Sequence, residues 1–369
     1  MKYIITGSDY TSDLFSHLSK DIKILHEDDN EINDLVIRQE DMCYIPSETA
    51  LAKVSDNFED KNFKEKILKL KDKFLFRELT AEMFPDFFFK KTNINDLDKL
   101  KLDYNKRYIL KPVRGFFGTG VYEFCGKDSL ADLKNKFTED VKSKSNSWDE
   151  RVLATEEVII ESYIEGDEFA VDMFFDKDKN PQIENIYHHP FAEKKSYFHV
   201  LYYTGEEIFK KYFYMLKKFF VKLNKILNAE NFPLHAEFKI SGNTIIPVEI
   251  NPLRFGGFGL GDLTYHAFNI NPFQAFFDNS NFDWDHIWSE RKGLYYGWIL
   301  AYNGDAVDLK TDAPDYPKFK KYLKGEIMKF AKMDYKTNPV FAVVYAKTDK
   351  SEDLSRMLKV EFNDFFQKK

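Results

Sequence analysis

The chain has 369 residues, more than one ordinary hydrophobic core holds, so two or three domains are expected. Hydrophobic residues make up 43% and aromatic residues 17%, enough buried surface to argue against a disordered chain. The net charge of −7, from 54 basic and 61 acidic residues, speaks against general nucleic-acid binding or docking on anionic membranes, while leaving room for a local phosphate pocket.

Met1-Lys2-Tyr3-Ile4-Ile5-Thr6-Gly7 lacks the apolar core and small-residue cleavage site of a signal peptide. No apolar run approaches the roughly 20 residues that span a bilayer. Cys43 and Cys125 fit neither a zinc pattern nor a disulfide framework, and the histidines show no HExxH spacing. These features lead to the expectation of a reduced, soluble, cytoplasmic protein.

In chain order, short β-rich runs at residues 3–6, 22–26 and 42–45 alternate with polar helical stretches, which predicts a small parallel α/β unit. The single glycine turn Thr6-Gly7-Ser8-Asp9 reads as a plain strand-to-helix turn, a weak nucleotide signal at best. A charged helix is expected over residues 60–83, ended by Pro85, and then a strand over 87–90. A further strand runs into Lys111, a polar helix covers 128–144, and residues 158–175 are strongly β-like. Residues 206–227 carry Ile208, Tyr212, Met215, Phe219, Leu223 and Ile226 at spacings of three and four, the mark of a helix with one buried face. Near the end, strands are expected at 293–301 and 340–347, with a final helix from Glu352.

Gly115, Gly118 and Gly120 stand in the order Gly-x-x-Gly-x-Gly and lead into Val-Tyr-Glu-Phe, a strand. A Rossmann turn needs a helix N-terminus there, and a Walker loop needs Gly-Lys-Ser/Thr, so neither is present. A glycine-rich turn between two strands can fold over phosphates and offer backbone N–H donors, with Lys111 supplying a cation. A flexible β-hairpin is the plainer alternative.

Residues 234–240 and 244–251 flank Ser241-Gly242-Asn243 and predict an antiparallel hairpin. Folded about that turn, Glu237 lies roughly opposite Glu249, and alternation puts Asn251 on the face of Glu249. Opposed like charges destabilise a hairpin unless a cation lies between them, and two carboxylates with an amide oxygen suit Mg²⁺. The other reading turns both glutamates to solvent on an edge hairpin.

Taken together, the lysine-proline strand, the glycine flap, the Glu161/Glu168 run and the Glu-hairpin-Glu-x-Asn ending resemble the ATP-grasp superfamily over about residues 70–275. The resemblance implies an α/β chain with α+β elements. A small parallel α/β domain (1–70) would precede an ATP-grasp module (71–285, with a flap subdomain at about 91–160), and a C-terminal α+β subdomain (286–369) would follow. It further implies carboxylate–amine ligase chemistry, as in L-amino-acid ligases, D-alanine–D-alanine ligase and biotin carboxylase-like enzymes, with ATP and Mg²⁺ as cofactors (two ions, Mn²⁺ as a substitute). By that resemblance Lys73 and Lys111 contact phosphates, and the loop with Gly115, Gly118 and Gly120 covers them. Glu161 begins the hinge strand that meets adenine through backbone near Tyr163 and Ile164, and Glu168 binds ribose hydroxyls. Glu237, Glu249 and Asn251 ligate Mg²⁺, and Arg254 faces the reacting carboxylate, although the extra Leu253 departs from the usual Asn-Pro-Arg spacing.

His235-x-Glu237 resembles the L-amino-acid ligase branch, with a packed core histidine as the simpler reading. The acceptor pocket is expected near residues 187–191, Lys194, Lys195, Tyr197 and Tyr202. The implied partners are small carboxylates and amines, amino acids among them; the sequence does not give the oligomeric state, and a homodimer is expected only because dimers are the commonest assemblies. A small-molecule kinase, a carboxylase-like enzyme and a non-catalytic nucleotide sensor are the alternatives.

Overall fold

The computed structural model describes residues 1–7, 11–115, 118–145, 153–194, 197 and 199–368. Phe116, Phe117 and Lys195, which fall in segments singled out above, lie outside them, as do Ser8 and Asp9.

β1 (Lys2–Thr6) pairs in parallel with both β2 (Ile22–His26) and β3 (Met42–Tyr44). Its run Ile4-Ile5 is apolar at consecutive positions because both faces are covered. Ile4 packs into a cluster with Phe15 and Phe273, and Ile5 faces the main core.

The single helix expected over 60–83 is two, Lys61–Lys71 and Lys73–Thr80, separated at Asp72. Asp72 is extended (φ −81°, ψ 115°), and its carboxylate accepts from the Phe74 and Leu75 N–H groups as an N-cap. The break sets Lys73 at the first position of the second helix and Arg77 one turn along the same face. Asp72→Ala is expected to cost about 1–2 kcal/mol in urea unfolding, because the cap is lost. The Arg114 partner 2.8 Å from the Asp72 carboxylate is lost with it.

β4 (Phe89–Asn93), β5 (Arg107–Pro112), β6 (Tyr122–Cys125) and β7 (Glu157–Ser162) form an antiparallel sheet in the order β4-β7-β5-β6. The helix Leu130–Ser145 covers it, and Leu133 and Phe137 pack with Leu110, Phe124 and Ile160. Next come β8 (Asp167–Phe175), β9 (Pro181–His189), β10 (Leu201–Gly205), β11 (Phe232–Ser241), β12 (Thr244–Pro252) and β13 (Tyr295–Tyr302). β14 (Asp312–Pro314), β15 (Glu326–Lys332), β16 (Val340–Thr348) and β17 (Phe366–Lys368) complete the set among the described residues. The central sheet runs β12-β11-β8-β9-β10-β13-β16-β15, so the C-terminal strands extend it, while β14 and β17 make a separate ribbon.

The helix Glu206–Leu227 lies on this sheet, with Phe219 and Phe220 edge-on to Phe238 at 5.1 and 5.8 Å. Of its apolar stripe only the terminal Ile226 turns outward. β9, β10 and β15 were not expected from the sequence, and the last helix is a short segment, Ser351–Ser355. No helix among the described residues is long and apolar enough to cross a membrane.

Candidate active site

A cavity of about 770 Å³ opens between the four-stranded sheet and the central sheet. Lys73, Lys111, Gly115, Gly118, Glu161, Tyr163, Ile164 and Glu168 line it, together with Glu237, Glu249, Asn251 and Arg254. The thirteenth expected residue, Gly120, lies elsewhere. Its N–H donates to Asp140 Oδ2, and a Cβ there would sit 2.9 Å from the Phe137 ring at φ +68°. Gly120 therefore lets the loop close onto the flap helix, and Thr119 and Val121 face the cavity in its place.

The hairpin has the expected register, with Glu237 directly opposite Glu249 and a bulge just after Glu237. Asn251 Nδ2 donates to Glu249 Oε1 at 3.1 Å, and Lys73 Nζ lies 3.1 Å from Glu249 Oε2. Burial and then the Glu249 charge push the Glu237 carboxyl up. Burial works against Glu249 as well, but Lys73 and the Asn251 hydrogen bond hold it down to about 2. Like charges facing one another on a half-buried cavity wall, with hard oxygen donors, fit a divalent cation such as Mg²⁺. The set is two carboxylates and an amide; no group of three or more His, Cys, Asp or Glu residues forms a metal site among the described residues.

Lys111, at the end of β5, sits 2.5 Å from Glu161 Oε1. Burial lowers the Lys111 ammonium, with Glu161 opposing and Arg77 and Lys73 adding to the effect. Glu161 is gripped from its other side by Arg77, Nε to Oε2 at 2.8 Å and Nη2 to Oε1 at 3.2 Å. Despite burial, these two cations hold Glu161 at about 2. Next in the hinge, the Tyr163 N–H is given to the Arg107 carbonyl, and the Arg107 guanidinium stacks 3.6 Å above the Tyr163 ring.

Residues 104–262 match the ATP-grasp domain family. The chain carries an ATP-grasp domain. No curated protein matches the sequence. Among solved structures, the fold is similar to an L-amino acid ligase from Bacillus licheniformis, at 14% identity over 100% of this chain and 98% of that one, with a TM-score of 0.65. It is similar to N5-carboxyaminoimidazole ribonucleotide synthetase from Thermotoga maritima, at 13% identity over 100% and 99%, with a TM-score of 0.64. A third is the biotin carboxylase domain dimer of Hydrogenobacter thermophilus 2-oxoglutarate carboxylase, in complex with MgADP, ADP and bicarbonate, at 11% identity, 83% and 68% coverage and a TM-score of 0.56.

At the far end of the cavity the extra Leu253 is absorbed in a left-handed turn (φ 62°). Its N–H donates to the Pro233 carbonyl at 2.8 Å, and its own carbonyl accepts from the Ile45 N–H at 2.7 Å. Arg254 still reaches the cavity, with Nε 3.3 Å from Glu48 Oε1, and Lys71 lies 2.6 Å from the other Glu48 oxygen. Two cations against one carboxylate leave a local charge of +1. Burial raises Glu48, but Lys71 and Arg254 overcome it and hold the group at about 2. Such a depressed carboxyl stabilises the fold above its unfolded pKa of about 4.5, and that contribution is lost as pH falls toward 2. Glu48→Gln is expected to flatten this acid limb when melting temperature is followed against pH.

His235 is buried and bridges two carboxylates: Nδ1 lies 2.7 Å from Asp172 and Nε2 lies 3.5 Å from Glu237. It is more than a packed histidine. Burial disfavours the charge, yet Asp172 and Glu237 raise the imidazole to about 9. Asp172 also accepts from the Tyr187 hydroxyl and the Gly256 N–H, both at 2.8 Å, which ties the loop after Arg254 to β8. Of the expected acceptor-pocket residues, Tyr197 and Tyr202 line the cavity with Phe191 and His199, whereas Tyr187, His188 and His189 lie behind its wall. Arg77, Glu48, Asp172 and Lys239 went unnoticed in the sequence, where no local motif marks them, and Lys71 figured there only as one of the lysines crowding Lys73.

Proposed function

We propose that the protein is an ATP-dependent carboxylate–amine ligase that forms an amide or peptide bond and releases ADP and phosphate. One observation carries the reading: two opposed, half-buried carboxylates and an amide oxygen share a cavity with two lysines and an arginine. In this reading Lys73 and Lys111 meet phosphate oxygens, and the loop bearing Gly115 and Gly118 covers them. Ile164 and the neighbouring hinge backbone face adenine, and Glu168 faces the ribose. Glu237, Glu249 and Asn251 hold Mg²⁺, two ions being expected. Bound there, Mg²⁺ neutralises the triphosphate and the charge that develops during phosphoryl transfer.

Arg254 draws in the substrate carboxylate, which attacks the terminal phosphorus to give an acyl phosphate. The amine then displaces phosphate, with Arg254 stabilising the oxyanion. The +1 charge of the Lys71–Glu48–Arg254 cluster supports a carboxylate at that end. Similarity of fold to a protein described as an L-amino acid ligase favours amino acids as substrates. We assign residues 1–70, 71–285 and 286–369 to the three domains expected above.

The test is ADP release by purified protein against pairs of amino acids and small acids, with hydroxylamine as a trap. Hydroxamate and ADP in equal amounts are expected. A stable phosphorylated product would instead make it a kinase, and no substrate-dependent ADP release would make it a sensor.

A further inference from the structure

Both oxygens of Glu168 are engaged. Oε1 accepts from His189 Nδ1 at 2.6 Å, and Oε2 lies 3.2 Å from Lys239 Nζ. The three residues form one row across the central sheet, Glu168 on β8 standing opposite His189 on β9 and Lys239 on β11. Glu168 and Lys239 line the cavity, and His189 does not. The His189 ring is buried and stacked on Tyr202 at 3.9 Å and 8°, with the Tyr202 hydroxyl 3.1 Å from His199 Nδ1. Lys239 Nζ lies 4.4 Å from the centroid of the exposed Phe191 ring, and an ammonium, a point charge with three rotatable donors, imposes little direction of its own. The stacked imidazole has one.

A carboxylate offers about four lone-pair positions. His189 and Lys239 take one on each oxygen, and because Glu168 lines the cavity the one left on each oxygen is available to a ligand there. Two acceptors at carboxylate spacing match two vicinal hydroxyls. We propose that His189 is a positioning residue that fixes the Glu168 carboxylate to receive both ribose hydroxyls, making the site selective for ribonucleotides over deoxyribonucleotides. This rests on the reading of the cavity as an ATP site, with Glu168 at the sugar.

The test is calorimetric titration of MgATP and of its 2′-deoxy analogue into wild type, His189→Phe and His189→Gln. Wild type is expected to prefer ATP by about 10-fold or more, the worth of a hydrogen bond to a charged acceptor. In His189→Phe, ATP, with two hydroxyls on Glu168, should lose more affinity than the deoxy analogue, which has only its 3′-hydroxyl there, and the preference should shrink to within about twofold. His189→Gln, with an amide N–H for Glu168, should recover most of the preference. If His189→Phe keeps the preference, or loses affinity for both nucleotides alike, His189 is only a packed residue and the proposal falls. A wild type that binds ATP and its deoxy analogue equally well also overturns the clamp. One that binds neither nucleotide overturns the ATP-site reading, and the clamp goes with it.

Discussion

Glu249→Ala is expected to lower substrate-dependent ADP release by about 10³-fold while leaving the protein folded. Glu249 touches Lys73 and Asn251 and stands directly opposite Glu237, so its removal takes away one of the two carboxylates proposed to hold the metal and frees the lysine proposed to meet the phosphates. The effect on stability has two signs. With Glu249 gone, Glu237 loses the like charge that pushes it up, and Lys73 keeps the Gly115 carbonyl at 3.2 Å, but the stabilisation from a carboxyl held at about 2 beside Lys73 is lost. The melting temperature without ligand should therefore fall slightly. The rise that MgATP produces in the wild type should vanish, since a ligand stabilises only a state it binds. Unchanged turnover in this variant would remove the metal assignment.

Arg77→Met is expected to cost about 3–5 kcal/mol of stability, because removing one partner strands a buried charge. Arg77 and Glu161 are 3% and 2% exposed, and the guanidinium also donates to the Pro247 carbonyl at 2.6 Å. Without it Glu161 keeps only Lys111, and the Pro247 carbonyl loses a donor on β12. Urea denaturation gives the loss directly. Adding Glu161→Gln to Arg77→Met should recover part of it, as a coupled pair requires. A loss below about 1 kcal/mol would mean that water or another group compensates Glu161.

The hairpin was legible because its turn and its alternation are local; counting back from the turn brings Glu237 to Val248, and the bulge after Glu237 moves it one residue on to Glu249. The long helix Glu206–Leu227 was legible for the same reason, its stripe repeating over six turns. Arg77 had no such signal, since its partners Glu161 and Pro247 are 84 and 170 residues away. β9 begins Pro-Gln-Ile-Glu-Asn and looks polar, yet Glu184 and Asn185 are fully buried between neighbouring strands, which no period reveals. The break at Asp72 was written as a cap residue, but the lysines around it continued a helical pattern and hid it. Gly120 shows the limit of a motif: three glycines in a row of spacing did not say which one serves the packing of the loop.

The N-terminal unit grips the Arg254 loop twice, through the Ile45 N–H on the Leu253 carbonyl and through Glu48 on the guanidinium. A chimera that takes its first seventy residues from another protein of this fold would therefore carry an arginine aimed by the wrong host. Grafting has to move residues 45–48 and 253–254 as one piece, and divergence at either end constrains the other.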